Sequence, residues 1–370
     1  MIIQNGQVFG EDKRFTVRDL YIENGIIVSD ANQVTDRTVV DASGCYVLPG
    51  LIDIHSHGAC GNDFSDVNEE GLHEILRYQY AHGITSYCPT SMTLPKEQLH
   101  KIFATANRVK LLQKNNIGEA TLVGINMEGP FIDVKKKGAH LEEYIMEPDV
   151  EFFRKCNEKC GYLIRLVTLA PNVNGAMEFI KELSKETTIS LGHTTADYMI
   201  SQKAIEAGVH HVTHLYNAMM PFEHRAPGLI GAAAENKQCM AELICDGIHV
   251  HASMVRAAFK LFPDRIVLIS DSMRATGMKD GNYELGGQEV TVSGKLATLK
   301  DGTIAGSVTN LFDCMHTAIS FGIKPEMAIA AATMNPARSI GIFDTVGSLT
   351  AGKKADVLLT DCKFKLIRVV

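Results

Sequence analysis

The sequence lacks the features that would place the chain in or across a membrane. No uncharged apolar run reaches the ~18 residues that a membrane-spanning helix needs, so we expect no transmembrane segment. The first residues, MIIQNGQVFGED, contain no basic region followed by a long apolar core, so we expect no secretory signal peptide. The nine cysteines are scattered and odd in number, and no two form a CxxC pair. This usage favours free thiols in a reducing cytoplasm over a disulfide framework.

Long basic blocks are absent as well. The formal net charge is −7, and the longest basic run is the triplet Lys135 to Lys137, which we interpret as a solvated loop. We therefore expect no nucleic-acid partner, because binding to a phosphate backbone needs clustered lysine and arginine. Low-complexity segments and internal repeats are not found either. The 370 residues fit one large domain of about 250 to 300 residues with a smaller one beside it.

The sequence does contain a repeated alternation of short apolar runs and helical patterns. Strands that alternate with helices pair in parallel, and strands that are apolar throughout are buried on both faces. Eight such strands predict a (β/α)8 barrel of the TIM type, with a doubly wound open sheet as the alternative. The eight runs are Leu51–Ile54, Ile84–Pro89, Thr121–Met127, Leu163–Leu169, Thr188–Leu191, Val209–Thr213, Met240–Cys245 and Arg265–Ser270. Helical spacing is clearest in Leu72, Ile75 and Leu76, and in Leu99, Ile102, Phe103 and Ala106 after Pro95.

The two ends of the chain have a different pattern. Residues 1–48 and 344–370 have the composition of short strands and turns. We predict that together they form one small β-sandwich domain beside the barrel, which then spans residues 49–343. An extra β-hairpin is predicted at residues 283–306, after the eighth barrel strand.

Side chains that can bind a metal lie at the ends of several predicted strands. In the stretch GLIDIHSHG, residues 50–58, His55 and His57 are two positions apart and would share one side of a strand. Glu128, His193, His214 and Asp271 end the third, fifth, sixth and eighth strands. The C-terminal strand ends of such a barrel converge on the active site. Imidazole and carboxylate groups suit Zn²⁺ or Fe²⁺, so the combined pattern predicts a metal site.

Seven motifs give the sequence a family resemblance. In chain order they are GLIDIHSHG, MEGPFI, LGHTTA, HVTHLYNAM, ICDGIHV, LISDSM and the AGS of Ala305–Ser307. With these motifs the chain resembles the amidohydrolase superfamily, and within it the N-acetylglucosamine-6-phosphate deacetylase family, over essentially its whole length. The resemblance implies a hydrolase of amino-sugar catabolism that converts N-acetyl-D-glucosamine 6-phosphate to D-glucosamine 6-phosphate and acetate.

The resemblance also implies metal ligands and a catalytic acid/base. Glu128, His193 and His214 match the ligands common to the family, and His55 and His57 match the additional pair of members that can hold two metals. We therefore expect one or two divalent ions, with zinc first and Fe²⁺ or another divalent ion as alternatives. Many superfamily members bridge two metals with a modified lysine after strand four, but this chain has no lysine there, so Glu128 would be the bridge. Asp271 matches the acid/base of the superfamily.

A further set of positions matches the substrate contacts of the family. The planar guanidinium of an arginine suits phosphate oxygens, and a backbone amide or histidine can add to the grip. In the family this grip can be completed by residues of a neighbouring subunit, which implies a homodimer. The matching positions are Ala139, His140, Asn217, Ala218, Arg225, His249, Ile304, Ala305, Gly306 and Ser307. We interpret His210, His211, His224 and His251, which match no motif position, as structural.

Hydrolysis of an acetamide needs a strong nucleophile at neutral pH and a proton for the departing amine. A bound Zn²⁺ lowers the pKa of its water from ~15.7 to ~7 and so supplies hydroxide. Asp271 can accept the proton of this water and pass it to the amine. Either the metal or His140 can polarise the carbonyl oxygen.

Other functions stay open at this point. The chain could be a deacetylase of another amino-sugar phosphate, such as N-acetylgalactosamine 6-phosphate, or a dihydroorotase-like or D-amino-acid deacylase enzyme. The missing strand-four lysine and the presence of Arg225 argue against the ring-opening enzymes. A non-catalytic scaffold with the same fold is a third alternative, and the intact ligand set with Asp271 argues against it.

Overall fold

A computed structural model describes residues 1–113 and 118–370 of the chain. The strands, in chain order, are β1 Ile2–Phe9, β2 Phe15–Glu23, β3 Ile26–Val28, β4 Val39–Asp41, β5 Tyr46–Pro49, β6 Leu51–Ser56, β7 Gly58–Ala59, β8 Asn62–Asp63, β9 Ile84–Ser91, β10 Thr121–Leu122, β11 Ile125–Glu128, β12 Ile164–Leu169, β13 Thr188–Leu191, β14 His211–Val212, β15 Met240–Ile244, β16 Ile266–Ile269, β17 Gly281–Leu285, β18 Gln288–Ser293, β19 Leu296–Thr298, β20 Val357–Thr360 and β21 Leu366–Val369. The helices are α1 Glu69–Ala81, α2 Lys96–Leu112, α3 Val150–Lys159, α4 Ala176–Leu183, α5 Tyr198–Glu206, α6 Gly228–Glu235, α7 Ala252–Leu261, α8 Leu311–Ser320, α9 Pro325–Ala332 and α10 Met334–Ser339.

Eight parallel strands form a nearly closed barrel. Strands β6, β9 and β11 to β16 follow one another around the sheet in chain order. The two ends of the sheet meet, because the backbone N–H of Asp271 donates to the carbonyl oxygen of His55 at 2.9 Å and Oγ of Ser270 donates to the carboxylate of Asp53 at 2.5 Å. This confirms the predicted (β/α)8 barrel. A doubly wound sheet would instead reverse its strand order at a switch point.

Most strand bounds lie within two residues of the predicted runs, and two runs differ more. The run Thr121–Met127 is divided into β10 and β11. The division falls at Gly124, where a Cβ would lie only 2.4 Å from Cγ of Arg165, so the backbone passes too close to its neighbour for any side chain. The run Val209–Thr213 is reduced to a two-residue strand, His211–Val212.

The predicted helical patterns are confirmed in α1 and α2. Leu72, Ile75 and Leu76 are buried on one face of α1. Leu99, Ile102, Phe103 and Ala106 are buried in the same way on α2, which begins directly after Pro95. Residues three and four apart share one face of a helix, so this spacing turns an apolar face toward the barrel. Within the described residues, no helix is both long and apolar enough to cross a bilayer.

Both ends of the chain contribute to a separate β domain. Its sheet has the order β21-β20-β5-β1-β2-β3, with β4 beside β1. C-terminal strand β20 pairs antiparallel with N-terminal strand β5, for example Val357 with Pro49. An apolar core distinct from that of the barrel contains Ile3, Leu20 and Leu349. We propose that the domain boundaries lie near residues 48 and 344. A sandwich needs two packed sheets, whereas these strands form one sheet, so the sandwich arrangement stays a prediction.

The predicted hairpin after the eighth barrel strand is a three-stranded antiparallel sheet. Strands β17, β18 and β19 are connected in sequence, and the first of them starts at Gly281. Gly286 and Gly287 both have positive φ, at 58° and 86°, as a tight turn with left-handed residues at its centre requires. This sheet reaches the mouth of the barrel, because Nε2 of Gln288 donates to the carbonyl oxygen of Ala139 at 2.5 Å.

Candidate active site

The predicted metal ligands come together at the C-terminal end of the barrel. His193, His214 and Asp271 each lie two residues beyond the end of their strands, β13, β14 and β16. All three have positive φ, at 47°, 27° and 50°. Such conformations cost a non-glycine residue about 1–3 kcal/mol and cluster at functional sites, where the surrounding structure holds them in position.

Glu128 lies at the centre of this group. Its Oε1 is 3.1 Å from Nε2 of His193 and 3.1 Å from Nε2 of His214. Nε2 of His55 is 3.4 Å from the same oxygen, and Nε2 of His57 is 3.3 Å from Oε2. All five side chains are buried. One carboxylate at the end of the third strand therefore faces four imidazoles from three other strand ends.

Asp271 lies on the His55 and His57 side of the group. Its Oδ1 is 3.3 Å from Nε2 of His57 and 3.7 Å from Nε2 of His55. The ligand atoms form two clusters with metal-like spacing, one of His55, His57 and Asp271 and one of Glu128, His140 and His193. Two neighbouring clusters are compatible with one or two ions.

The hydrogen bonds of the rings fix which nitrogen faces Glu128. Each of the four histidines has its Nδ1 against an oxygen that can only accept, so Nδ1 must be the donor. A neutral ring of this kind leaves the Nε2 lone pair free for a metal. The acceptors are the carboxylate of Glu242 for His55 at 2.8 Å, and the carbonyl oxygens of Thr90 for His57 at 3.1 Å, Lys136 for His193 at 2.7 Å and Asn217 for His214 at 3.2 Å.

A cation fits between these groups. Nε2 of His55 is buried and has no hydrogen-bond partner in the part of the chain that the structure describes, although Glu128 and Asp271 lie close to it. Burial lowers the pKa of His55, but the negative charges of Glu128 and Glu242 outweigh burial and raise it well above its ordinary value. The site thus needs positive charge at this point, supplied by a proton or by a metal ion in its place. Imidazole nitrogens and carboxylates are the ligands of zinc and Fe²⁺.

His140 has the opposite ring orientation. Its Nδ1 accepts a hydrogen bond from the backbone N–H of Thr93 at 3.1 Å, so the proton of the neutral ring is on Nε2. Nε2 is 3.6 Å from Oε2 of Glu128. A protonated nitrogen cannot bind a metal, so the hydrogen bond argues that His140 is a donor rather than a ligand, despite its place in the second cluster.

Both carboxyl groups of the centre are ionised. Burial raises the pKa of Glu128, but the charge of His55 and hydrogen bonds from surrounding histidines outweigh it and hold this pKa well below its ordinary value. Burial also raises the pKa of Asp271, and here the hydrogen bond from His57 is the chief opposing effect, so this pKa is lowered as well. Asp271 can therefore accept a proton at neutral pH.

A cavity of about 540 Å³ opens over the group. It is lined by His57, Glu128, His193, His214 and Asp271, and His55 lies beneath these side chains without reaching the cavity. Predicted substrate-contact residues on its wall are Ala139, His140, Asn217, Ala218, His249, Ile304 and Gly306. The size suits a ligand of sugar dimensions.

Three predicted substrate-contact residues do not line this cavity. Arg225 lies in an exposed loop. Ala305 is fully buried. Ser307 is behind Asp271, where its backbone N–H donates to the Asp271 carbonyl oxygen at 2.7 Å and its Oγ donates to the carbonyl oxygen of Ser270 at 2.6 Å. In this single chain, these three residues therefore stay predictions without a contact to the cavity.

Some residues of the site were not identified from the sequence. Lys135, Lys136 and Lys137, interpreted as a solvated loop, lie at the rim of the cavity. Glu242 is completely buried and contacts His55. The sequence signal for Glu242 is a single acidic residue within the apolar strand MAELI.

Comparisons with known proteins agree with this architecture. A sequence model of the Amidohydrolase family matches residues 46–370. The chain is 42% identical over 322 residues to an N-acetylglucosamine-6-phosphate deacetylase of Bacillus subtilis (strain 168), covering 86% of this chain and 81% of that protein. It is 32% identical over 344 residues to an N-acetylgalactosamine-6-phosphate deacetylase of Escherichia coli O157:H7, covering 92% and 90%.

A solved structure of a relative is also similar to this chain. A mutant N-acetyl-D-glucosamine-6-phosphate deacetylase from Mycobacterium smegmatis, in complex with N-acetyl-D-glucosamine-6-phosphate, is similar with a TM-score of 0.91 and 28% identity, over 100% of this chain and 97% of that one. The resemblance found in the motifs is confirmed. Since the family match spans most of the sequence and these relatives align with nearly all of it, the chain belongs to the amidohydrolase family.

Proposed function

We propose that this chain hydrolyses the acetamide of N-acetyl-D-glucosamine 6-phosphate to D-glucosamine 6-phosphate and acetate, as an enzyme of amino-sugar catabolism in the cytoplasm. The observation that carries the proposal is the convergence of four Nε2 atoms and Asp271 on the buried carboxylate of Glu128, at the floor of a sugar-sized cavity. The names of the bacterial relatives supply the substrate class.

The site fits a divalent metal, and zinc is the first choice. We assign Glu128, His193 and His214 as ligands of one ion, and His55 and His57 as ligands of a second ion or as further ligands of the first. A divalent ion bound by these side chains would lower the pKa of water and polarise a carbonyl oxygen. The end of the fourth barrel strand, Thr168–Leu169–Ala170–Pro171, contains no lysine, so Glu128 would have to serve both positions if two ions bind.

Asp271 and His140 supply the proton chemistry in this proposal. Asp271 is ionised and buried at the edge of the cavity, so it can take a proton from the attacking water and return it to the departing nitrogen. His140 carries its proton on Nε2 and lines the cavity, so it can donate a hydrogen bond to the acetamide oxygen as negative charge develops there. Burial of both groups strengthens these interactions, because little water competes with them.

The phosphate would bind on the side of Asn217, Ala218 and His249. Burial lowers the pKa of His249, but the hydrogen bond to Asp246 outweighs it and raises this pKa above its ordinary value, which favours a positively charged ring beside a phosphate. Arg225 lies in an exposed loop of its own chain. We propose that the protein is a homodimer, in which Arg225 contacts the phosphate and residues of a neighbouring subunit complete the phosphate-binding site.

A second substrate has specific support. One relative aligned over 92% of the chain is an N-acetylgalactosamine-6-phosphate deacetylase. The two sugars differ only in the configuration at C4, and no described contact in the cavity selects between them. Deacetylation of N-acetylgalactosamine 6-phosphate is therefore the alternative.

The experiment is a comparison of substrates with purified, zinc-loaded protein. Acetate release would be measured from N-acetylglucosamine 6-phosphate, N-acetylgalactosamine 6-phosphate and unphosphorylated N-acetylglucosamine. The proposal expects the highest kcat/KM for the first. A higher value for the galactosamine compound would establish the alternative, and no acetate from any of the three would reject the deacetylase function.

A further inference from the structure

Glu242 is a buried acidic residue for which the proposed reaction has no direct use. It lies in the middle of β15, the seventh barrel strand, and none of its surface is exposed. A buried carboxylate is costly unless its negative charge is paired and its oxygens accept hydrogen bonds. The contacts of Glu242 therefore indicate what role a carboxylate has at this buried position.

One oxygen of Glu242 contacts two of the proposed metal ligands. Oε2 is 2.8 Å from Nδ1 of His55 and accepts the backbone N–H of His214 at 3.1 Å. Oε1 has no hydrogen-bond partner among the described residues, and Nδ1 of His211 lies 4.0 Å from it. The hydrogen bonding of the carboxylate is thus directed at the metal site rather than spread over the barrel interior.

The contact decides the tautomer of His55. A carboxylate can only accept, so Nδ1 of His55 holds the proton. A neutral ring then directs its Nε2 lone pair toward Glu128 and Asp271. That Nε2 is the buried nitrogen without a hydrogen-bond partner, facing Glu128 and Asp271. The opposite tautomer would direct an N–H at the metal position.

His55 is also distinct from the other three rings. His57, His193 and His214 donate to neutral backbone carbonyls, whereas His55 donates to a charged side chain. A carboxylate behind a histidine orients the ring and makes its free nitrogen more basic than a carbonyl does. The Glu242 contact also holds the His214 backbone at the residue with φ of 27°.

We propose that Glu242 is a positioning residue of the metal site, which keeps the proton of His55 on Nδ1, aims its Nε2 at the metal and anchors the backbone of His214. This inference rests on the proposed function only in taking His55 and His214 as metal ligands. It does not depend on which sugar is hydrolysed.

The test is the affinity of the metal-free protein for Zn²⁺, measured by competition with a chelator. Glu242→Gln keeps the shape and one accepting oxygen but removes the charge, and Glu242→Leu removes the acceptor. Loss of such a partner typically weakens metal binding 10- to 100-fold. We expect a loss near the lower value for Glu242→Gln and near the upper value for Glu242→Leu.

Asp53→Asn is the matched control. Asp53 is as deeply buried as Glu242 and does not contact the ring of His55. It accepts the backbone N–H of His55 through Oδ1 at 3.2 Å and Oγ–H of Ser270 through Oδ2. Asparagine keeps the accepting Oδ1, and its amide can donate to Oγ of Ser270, so the backbone of His55 stays anchored. We expect its Zn²⁺ affinity to stay within about twofold of wild type. A general disturbance of the barrel interior would weaken the control and the Glu242 variants alike.

A second measurement follows the proton itself. In the zinc-loaded protein, Nδ1–H of His55 should give a downfield, exchange-protected proton resonance, identified by its loss in His55→Asn. It should persist in Glu242→Gln and disappear in Glu242→Leu. If Glu242→Leu does not fold, the affinity of Glu242→Gln decides alone.

The outcomes separate this inference from the proposed function. If His55→Asn weakens Zn²⁺ binding but both Glu242 variants bind as tightly as Asp53→Asn, the positioning role is wrong and the ligand role stands. If His55→Asn binds Zn²⁺ like wild type, the ligand assignment fails and the positioning role fails with it. Weakened binding in the Glu242 variants but not in Asp53→Asn, with loss of the resonance in Glu242→Leu, is the expected result.

Discussion

Oδ2 of Asp246 lies 2.7 Å from Nδ1 of His249, and the same carboxylate accepts the His249 backbone N–H at 2.9 Å through Oδ1. Burial lowers the pKa of His249, but this pairing outweighs burial and raises it above its ordinary value. The pairing therefore favours the positively charged form of the ring, which lies on the wall of the cavity. The charged form of the ring is complementary to a sugar phosphate.

The raised pKa of His249 predicts a pH dependence of substrate binding. As pH rises through this pKa the ring loses its charge, so KM for the phosphorylated sugar should increase at a pH above the ordinary histidine pKa of about 6.5. Asp246→Asn removes the pairing that raises the pKa, so the increase in KM should begin at lower pH. Steady-state kinetics as a function of pH provide the measurement. An unchanged pH profile in Asp246→Asn would show that His249 does not bind the phosphate as a cation.

Asp271→Asn should retain zinc and substrate binding but lose most of the rate. The amide has nearly the same shape as the carboxyl group, but it cannot accept a proton from the attacking water. Loss of general acid–base catalysis typically costs ~10²–10⁴-fold in rate. The measurements are kcat and metal content. A variant with more than about half of the wild-type kcat would assign the proton transfer to another group.

His193→Ala and His214→Ala should each lose the primary metal and all measurable turnover. Each ring directs Nε2 at Glu128 from a separate strand end, so few other ligands remain to compensate. Metal content by elemental analysis and acetate release are the two measurements. His210→Ala, a change at an exposed histidine outside the site, is the control. Normal metal content with full activity in either ligand variant would disprove the assignment.

Arg225→Ala should lower kcat/KM for N-acetylglucosamine 6-phosphate by roughly 10- to 150-fold, the equivalent of a charge-assisted hydrogen bond of ~1.5–3 kcal/mol. The rate for unphosphorylated N-acetylglucosamine and the metal content should both stay nearly unchanged. Arg225→Lys should recover part of the lost kcat/KM, because lysine keeps the positive charge but lacks the planar guanidinium group. Equal losses on both substrates would mean that Arg225 supports the fold or the metal site. His224→Ala, in the same exposed loop, controls for disturbance of the loop.

Much of the barrel and of the metal centre could be predicted from the sequence, because their signals are local. An apolar strand followed within two residues by histidine, glutamate or aspartate marks a C-terminal strand end, and a barrel brings such ends together. His193 and Asp271 follow their strands in this way, and His55 and Glu128 lie within the last two residues of theirs. The division of the third strand at Gly124 could not be predicted, since it depends on the approach of Arg165 from the neighbouring strand.

The supporting contacts of the site could not be predicted, because they join distant parts of the chain. Glu242 is 187 residues from His55 in sequence, and Lys136 acts through a backbone carbonyl that any residue could supply. The sequence suggested that Lys135 to Lys137 form a solvated loop. Their position at the cavity rim depends instead on the folding of that loop over the barrel mouth. The orientation of His140 likewise follows from the backbone of Thr93, 47 residues away.

Metal-dependent deacetylation is tested most directly by reconstitution of metal-stripped protein with increasing Zn²⁺ in the presence of N-acetylglucosamine 6-phosphate. Acetate and free amine would be measured together. We predict no turnover without metal, activity that rises with bound zinc to a limit at one or two ions per chain, and equal amounts of acetate and glucosamine 6-phosphate. Undiminished turnover in the metal-free protein, or no acetate from the fully loaded protein, would contradict this prediction.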